Sequence, residues 1–70
     1  MRDVEISSEP TQLYKILKFE GLVSNGGAAK AAVAEGRVRV NGQVETRKRK
    51  QIVSGDIIEF EGEQMRIRLT

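Results

Sequence analysis

The chain has 70 residues and a mass of 7.8 kDa, so residues 1–70 are expected to form one small domain. It contains no cysteine and no histidine, which excludes disulfides, zinc sites with Cys or His ligands and nucleophiles activated by an imidazole. We therefore expect no catalytic activity, no metal and no cofactor. No apolar run is long enough for a signal peptide or a membrane span, which favours a cytoplasmic protein without a membrane partner.

The net charge of +2 conceals an uneven distribution of charge along the chain. Residues 1–36 sum to −1 and residues 51–70 sum to −2. Residues 37–50 carry six basic side chains and one acidic side chain, which sum to +5. Such a local excess of positive charge is typical of a protein that binds a polyanion.

A strand and a helix are predicted at the start of the chain. Residues 3–6 alternate polar and apolar side chains, which predicts a short strand. A helix is predicted over about residues 10–20, with Pro10 in its first turn and Gly21 at its end. Its apolar stripe consists of Leu13, Ile16 and Leu17. Its polar side carries two candidate polyanion contacts, Lys15 and Lys18.

A second helix is predicted over residues 28–35, which contain five alanines and precede Gly36. The preceding Ser24-Asn25-Gly26-Gly27 predicts a turn. Free amide groups and the positive end of the helix dipole favour an anion at this helix start. The candidate anion contacts are Asn25, Gly26, Gly27 and Lys30. The alternative is that the two glycines only serve a turn of unusual φ.

The period of the pattern changes to two after Gly36, which predicts a strand with valines inward and arginines outward. The outward side chains, Arg37 and Arg39, are candidate polyanion contacts. Asn41-Gly42 is a strong hairpin signal, and residues 43–45 form the returning strand. The next segment is too polar and too uniformly charged for the core, and it adds four candidate contacts, Arg47, Lys48, Arg49 and Lys50.

The last third of the chain is predicted to return to the core and to end in a hairpin. Ile52 and Val53 re-enter the interior before the turn Ser54-Gly55-Asp56. The final hairpin has its turn at residues 61–63. The complete pattern predicts an α+β fold in which two packed helices lie against a small, mainly antiparallel sheet.

The order of these motifs resembles the S-four domain, the RNA-binding module named after ribosomal small-subunit protein four and also called the αL motif. The shared features are Ser24 before an Ala-rich helix, the segment Gly-x-Val-x-Val-Asn-Gly at residues 36–42, a basic stretch, and Gly55-Asp56. Residues 32–50 look most like the free-standing YbcJ-type bacterial proteins of that family. Many members have an arginine directly after the turn serine, whereas this chain has one extra residue and no arginine there.

The resemblance implies RNA binding by the two helices and the edge of the sheet. The three aromatic residues, Tyr14, Phe19 and Phe60, are assigned to the core, which leaves no platform for base stacking and favours shape readout of structured RNA. We therefore predict a monomeric, non-catalytic RNA-binding protein, with the ribosome or RNA-processing proteins as further partners. The alternative is a protein interaction module that docks an acidic partner in RNA processing or ribosome assembly.

Overall fold

Seven strands and two helices make up the chain, and a computed structural model describes all residues 1–70. In chain order they are β1 (Arg2–Ile6), β2 (Thr11–Gln12), α1 (Leu13–Phe19), α2 (Gly26–Ala34), β3 (Val38–Val40), β4 (Gln43–Val44), β5 (Gln51–Ile52), β6 (Ile57–Phe60) and β7 (Glu63–Leu69). Neither helix is long and apolar enough to cross a membrane.

Five of the strands form one sheet in the order β1-β7-β6-β3-β4. Strands β1 and β7 run parallel, with Val4 opposite Ile67, and every other neighbouring pair is antiparallel. Apolar side chains from one face of this sheet, from both helices and from β5 form a core of 15 residues that contains no buried polar or charged side chain. This arrangement confirms the predicted α+β fold of two helices on a mainly antiparallel sheet.

Helix α1 begins at Leu13, and the prediction that Pro10 lies in its first turn was wrong. The peptide bond between Glu9 and Pro10 is cis, and the two residues before Leu13 form β2, which pairs antiparallel with β5. Local periodicity could not reveal this pairing, because the partner strand lies about 40 residues further along the chain. The apolar stripe of α1 is buried as predicted.

Helix α2 begins two residues earlier than predicted, at Gly26, so Gly26 and Gly27 belong to its first turn. Neither glycine has a positive φ, so the alternative interpretation, a turn of unusual φ, is wrong for this pair. The extra residue of the sequence, Asn25, is the N-cap, and its Oδ1 accepts a hydrogen bond from the backbone N–H of Ala28 at 2.8 Å. Gly36 ends the helix with φ +76°, as predicted.

The predicted hairpin at Asn41-Gly42 is confirmed, with positive φ at both residues and β3 paired to β4. Ile52 is fully buried, but Val53 is 40% exposed, which contradicts its predicted place in the core. Adjacent residues of an extended chain point to opposite sides, so only one of the two can face the interior.

Candidate nucleic-acid interface

The first turn of α1 takes its hydrogen-bond acceptors from the basic segment at residues 47–50, which we call the basic loop. No side chain caps this helix. Instead, the backbone N–H of Leu13 donates to the carbonyl oxygen of Lys50 at 2.9 Å, and that of Tyr14 donates to the carbonyl oxygen of Lys48 at 3.1 Å. The pairing of β2 with β5 holds the adjoining chain segments together. The basic loop is thereby held at the start of α1.

Tyr14 links the basic loop to the second helix. The Nζ of Lys30 in α2 lies 4.9 Å from the centroid of the Tyr14 ring, within the range of a cation–π interaction. The Tyr14 side chain is half-buried and packs against the core, so its position is set by tertiary contacts. Tyr14 therefore contacts Lys30 of α2 through its ring and Lys48 of the basic loop through its main chain.

Lys18 extends this cationic surface toward the start of α2. A Cβ atom added to Gly26 would lie 3.8 Å from the Cδ of Lys18, so the lysine stem passes beside the first residue of that helix. The Nζ of Lys18 lies 5.5 Å from the centroid of the Phe19 ring. Phe19 is 67% exposed, and its assignment to the core was therefore wrong, whereas Phe60 is buried as predicted.

Six of the predicted contacts share two properties. They belong to α1, α2 or the basic loop, and their side-chain nitrogens have no carboxylate oxygen within 4.0 Å. We call this set the basic face, and its members are Lys15, Lys18, Lys30, Lys48, Arg49 and Lys50. None of the six forms an ion pair within the protein. The basic face is therefore the part of the surface best suited to a polyanion.

Arg37 and Arg39 are not part of the basic face. Arg37 forms ion pairs with Glu61 and, at 3.5 Å, with Glu35. Arg39 alternates with two core valines in β3, so its side chain lies on the sheet surface opposite the helices. There it donates a hydrogen bond to the carbonyl oxygen of Gly42 at 3.3 Å. Strand alternation separates Arg39 from the helices.

Arg47 is neutralised by Glu45, the one acidic residue of residues 37–50. Its Nε donates to Oε2 of Glu45 at 2.9 Å, its Nη2 donates to Oε1 at 3.1 Å, and its backbone N–H donates to Oε2 at 2.9 Å. The side-chain hydrogen bond from Arg47 is the main cause that lowers the pKa of Glu45 to about 2, and the same bond raises the pKa of Arg47. The net positive charge of the basic loop is therefore carried by residues 48–50.

The start of α2 presents two free amide groups beside Lys18. The backbone N–H groups of Gly26 and Gly27 donate no hydrogen bond within the protein, whereas the N–H of Ala28 is taken by the Asn25 cap. A Cβ at Gly27 would lie only 3.3 Å from Oδ1 of Asn25, so a larger residue there would disturb the cap. The structure contains no cluster of three or more acidic side chains placed to hold a metal ion.

The fold and the basic face define a small α+β module whose two helices present a cationic surface. A model of the S4 domain family matches residues 4–68, and the chain belongs to that family. The family resemblance inferred from the motifs is thereby confirmed.

Two relatives and one solved structure are similar to the chain over most of their length. YbcJ of Escherichia coli (strain K12), provisionally named an RNA-binding protein, is 46% identical over 56 residues, 80% of each chain. RlbA of Bacillus subtilis (strain 168), provisionally named a ribosome maturation protein, is 32% identical over 59 residues, 84% of this chain and 83% of RlbA. The solution structure of E. coli YbcJ, described as an αL motif involved in RNA binding, matches with a TM-score of 0.72 and 40% identity over 97% of this chain and 87% of that chain.

Proposed function

We propose that this protein binds structured RNA through the basic face, without catalysis. One observation carries the proposal: the main-chain hydrogen bonds of Leu13 and Tyr14 hold the basic loop against α1, and Lys30 lies over the Tyr14 ring. Three separate chain segments that carry cations, α1, α2 and the basic loop, thus meet around Tyr14. The names given to the relatives support RNA as the ligand.

The electrostatics of the free protein favour an anionic ligand. The basic loop lies at the N-terminus of α1, where the helix dipole is positive. The cations of the loop are therefore not stabilised by the dipole of this helix. Four arginines outside the basic face are paired with carboxylates: Arg2, Arg37, Arg47 and Arg68. A bound phosphate backbone would supply the negative charge that the basic face lacks.

The phosphates are expected to contact two parts of this surface. The ammonium and guanidinium groups of the basic face supply mobile charge, and the free amides of Gly26 and Gly27, with Asn25 beside them, supply directed donors at the start of α2. Lys18 lies between the two parts. Of the other candidates, Arg37, Arg39 and Arg47 are expected to contribute little, because two are ion-paired and one lies on the opposite sheet surface.

Structured RNA is favoured over duplex DNA. The helices have seven and nine residues and pack against each other, so neither stands free to enter a major groove. A broad cationic face suits recognition of RNA by shape and by its phosphates. The name of RlbA supports ribosome maturation as the setting. The names of the relatives describe no catalytic activity, in line with a chain that offers no nucleophile paired with a base.

Titration with structured RNA at increasing salt tests the proposal. If about four phosphates are contacted, affinity should fall about a hundredfold between about 50 and 200 mM salt. In competition, duplex DNA of equal length should bind more weakly. Absence of saturable RNA binding at low salt would contradict the proposal and favour docking of an acidic protein partner.

A further inference from the structure

A cleft of about 420 Å³ lies next to the basic face, between the end of β1 and α1. Its lining is mostly polar and includes Ser8, Thr11, Gln12 and Lys15, with the ring of Phe19 as its aromatic part. Glu5 is the one acidic residue of the lining. The Oε1 atom of Gln12 has no hydrogen-bond partner within the protein, although it is shielded from solvent.

Five large apolar side chains are exposed, and Phe19 is the only aromatic one. Its neighbours on the exposed side of α1 are lysines. At about 100° of rotation per residue, the side chains of Lys18 and Lys15 lie between those of Tyr14 and Phe19 around the helix axis. The Lys18 ammonium lies near the Phe19 ring, and the Lys18 stem passes beside Gly26. The cleft is thus continuous with the proposed phosphate-binding surface.

We infer that the Phe19 ring and this cleft form a subsite for one unpaired base of the bound RNA, an inference that rests on the proposed function. A base can stack on the open face of the ring, since every base has a π-face, and unpaired bases of loops and bulges are the ones free to do so. Lys15 and Lys18 hold the phosphates on either side of that nucleotide. Gln12 and Thr11 line the cleft, and polar side chains of these types can exchange hydrogen bonds with a base edge.

The surroundings of the ring favour a nucleotide over an apolar peptide. An apolar peptide would need further apolar side chains around Phe19, but the cleft has only two hydrophobic residues, Ile6 and Phe19, among its nine. Three of the other seven lining residues carry a hydroxyl group, and one more is Lys15. This composition matches a ligand that combines a flat ring with negative charge.

Two RNAs test the inference: a fully paired duplex, and a hairpin with the same stem and a loop of unpaired adenosines. Phe19→Leu should weaken hairpin binding about tenfold, the effect of losing one stacked base, and should leave duplex binding within about twofold. Phe19→Tyr should retain hairpin binding. Ring protons of Phe19 should shift upfield in NMR spectra when the hairpin, but not the duplex, is added.

Val44→Ala is the matched control, since Val44 is exposed but lies on β4, away from the cleft; it should leave both affinities unchanged. Urea unfolding of Phe19→Leu should match the wild type, because the ring is exposed. Equal weakening of both RNAs, or hairpin affinity unchanged in Phe19→Leu, overturns the base subsite while the proposed function stands. Failure of the wild type to bind either RNA overturns both.

Discussion

Asn41 and Asp56 connect the hairpin between β3 and β4 to the turn that precedes β6. The Nδ2 of Asn41 donates a hydrogen bond to Oδ1 of Asp56 at 3.1 Å, and its Oδ1 accepts one from the backbone N–H of Ile57 at 2.9 Å. Oδ2 of Asp56 accepts from the backbone N–H of Val53 at 3.0 Å. The Asn-Gly and Gly-Asp motifs of the sequence are therefore two halves of one hydrogen-bonded connection.

Removal of this connection should destabilise the fold. Asp56→Ala deletes two acceptors, and each exposed hydrogen bond contributes about 1 kcal/mol, so we expect a loss of about 1–2 kcal/mol in the free energy of unfolding. Urea denaturation measures it. Glu5→Ala, which removes a carboxylate without a hydrogen-bond partner, is the control and should change stability by less than about 0.5 kcal/mol. Equal losses in the two variants would show that the connection contributes nothing.

Charge reversal in the basic loop should abolish most RNA affinity without unfolding the protein. In the double variant Lys48→Glu/Arg49→Glu, both side chains are exposed and unpaired, and we expect affinity to fall about a hundredfold or more at moderate salt. Fluorescence anisotropy with a labelled RNA measures the effect. Extension of the reversal to Arg47 and Lys50 should remove the remaining affinity.

The control for this prediction carries the same change in net charge on the opposite surface. Arg66→Glu/Arg68→Glu alters the outer surface of the sheet, where Arg68 pairs with Asp3. Because these residues lie away from the helices, affinity should fall far less than in the loop variant. Similar losses would indicate that net charge, rather than the basic face, determines binding.

Loss of the Lys30 charge should weaken binding while stability changes little. Lys30→Ala removes one charge-assisted contact, worth about 1 kcal/mol or slightly more, so RNA affinity should fall about fivefold to tenfold. The plot of log affinity against log salt should become shallower by about 0.9, as expected for one phosphate contact. Lys30→Arg, which preserves the charge and its position over the Tyr14 ring, should restore both values. An unchanged salt dependence in Lys30→Ala would place Lys30 outside the interface.

The ion pair between Glu45 and Arg47 should make stability depend on pH in the acid range. The pKa of Glu45 is about 2 in the folded protein and about 4.5 ordinarily, so the folded state binds fewer protons between these values. The contribution of the pair is complete above pH 4.5 and is lost as the pH falls through about 2. Urea unfolding between these pH values should show a weaker pH dependence in Glu45→Gln than in the wild type. Identical profiles would contradict this role of the pair.

Inorganic phosphate should distinguish the amides at the start of α2. We expect NMR shifts for the backbone N–H groups of Gly26 and Gly27, which are free, and smaller shifts for Ala28, whose N–H donates to Asn25. The amides of Leu13 and Tyr14 serve as controls, since the carbonyl oxygens of the basic loop already accept from them. If residues 47–50 respond to phosphate and Gly26 and Gly27 do not, the start of α2 is structural only.

Local patterns in the sequence were sufficient for most of the fold. Period-two alternation placed Val38 and Val40 in the core, and Asn41-Gly42 located a hairpin, because side-chain alternation and positive φ depend on a few adjacent residues. The same patterns identified the family. The helix starts were predicted less accurately. Helix α1 begins at Leu13 rather than near Pro10, and α2 begins at Gly26 rather than at residue 28.

The candidate site could be predicted only as a set of residues and not as a surface. The sequence alone identified all six members of the basic face and the excess charge of residues 37–50. Only the tertiary structure showed that the basic loop is bonded to α1, that Arg39 lies on the sheet surface opposite the helices and that Phe19 is exposed. The physical reason is that charge and periodicity are local properties of the chain. Which surfaces meet depends instead on long-range strand pairing and on the face of the sheet that the helices cover.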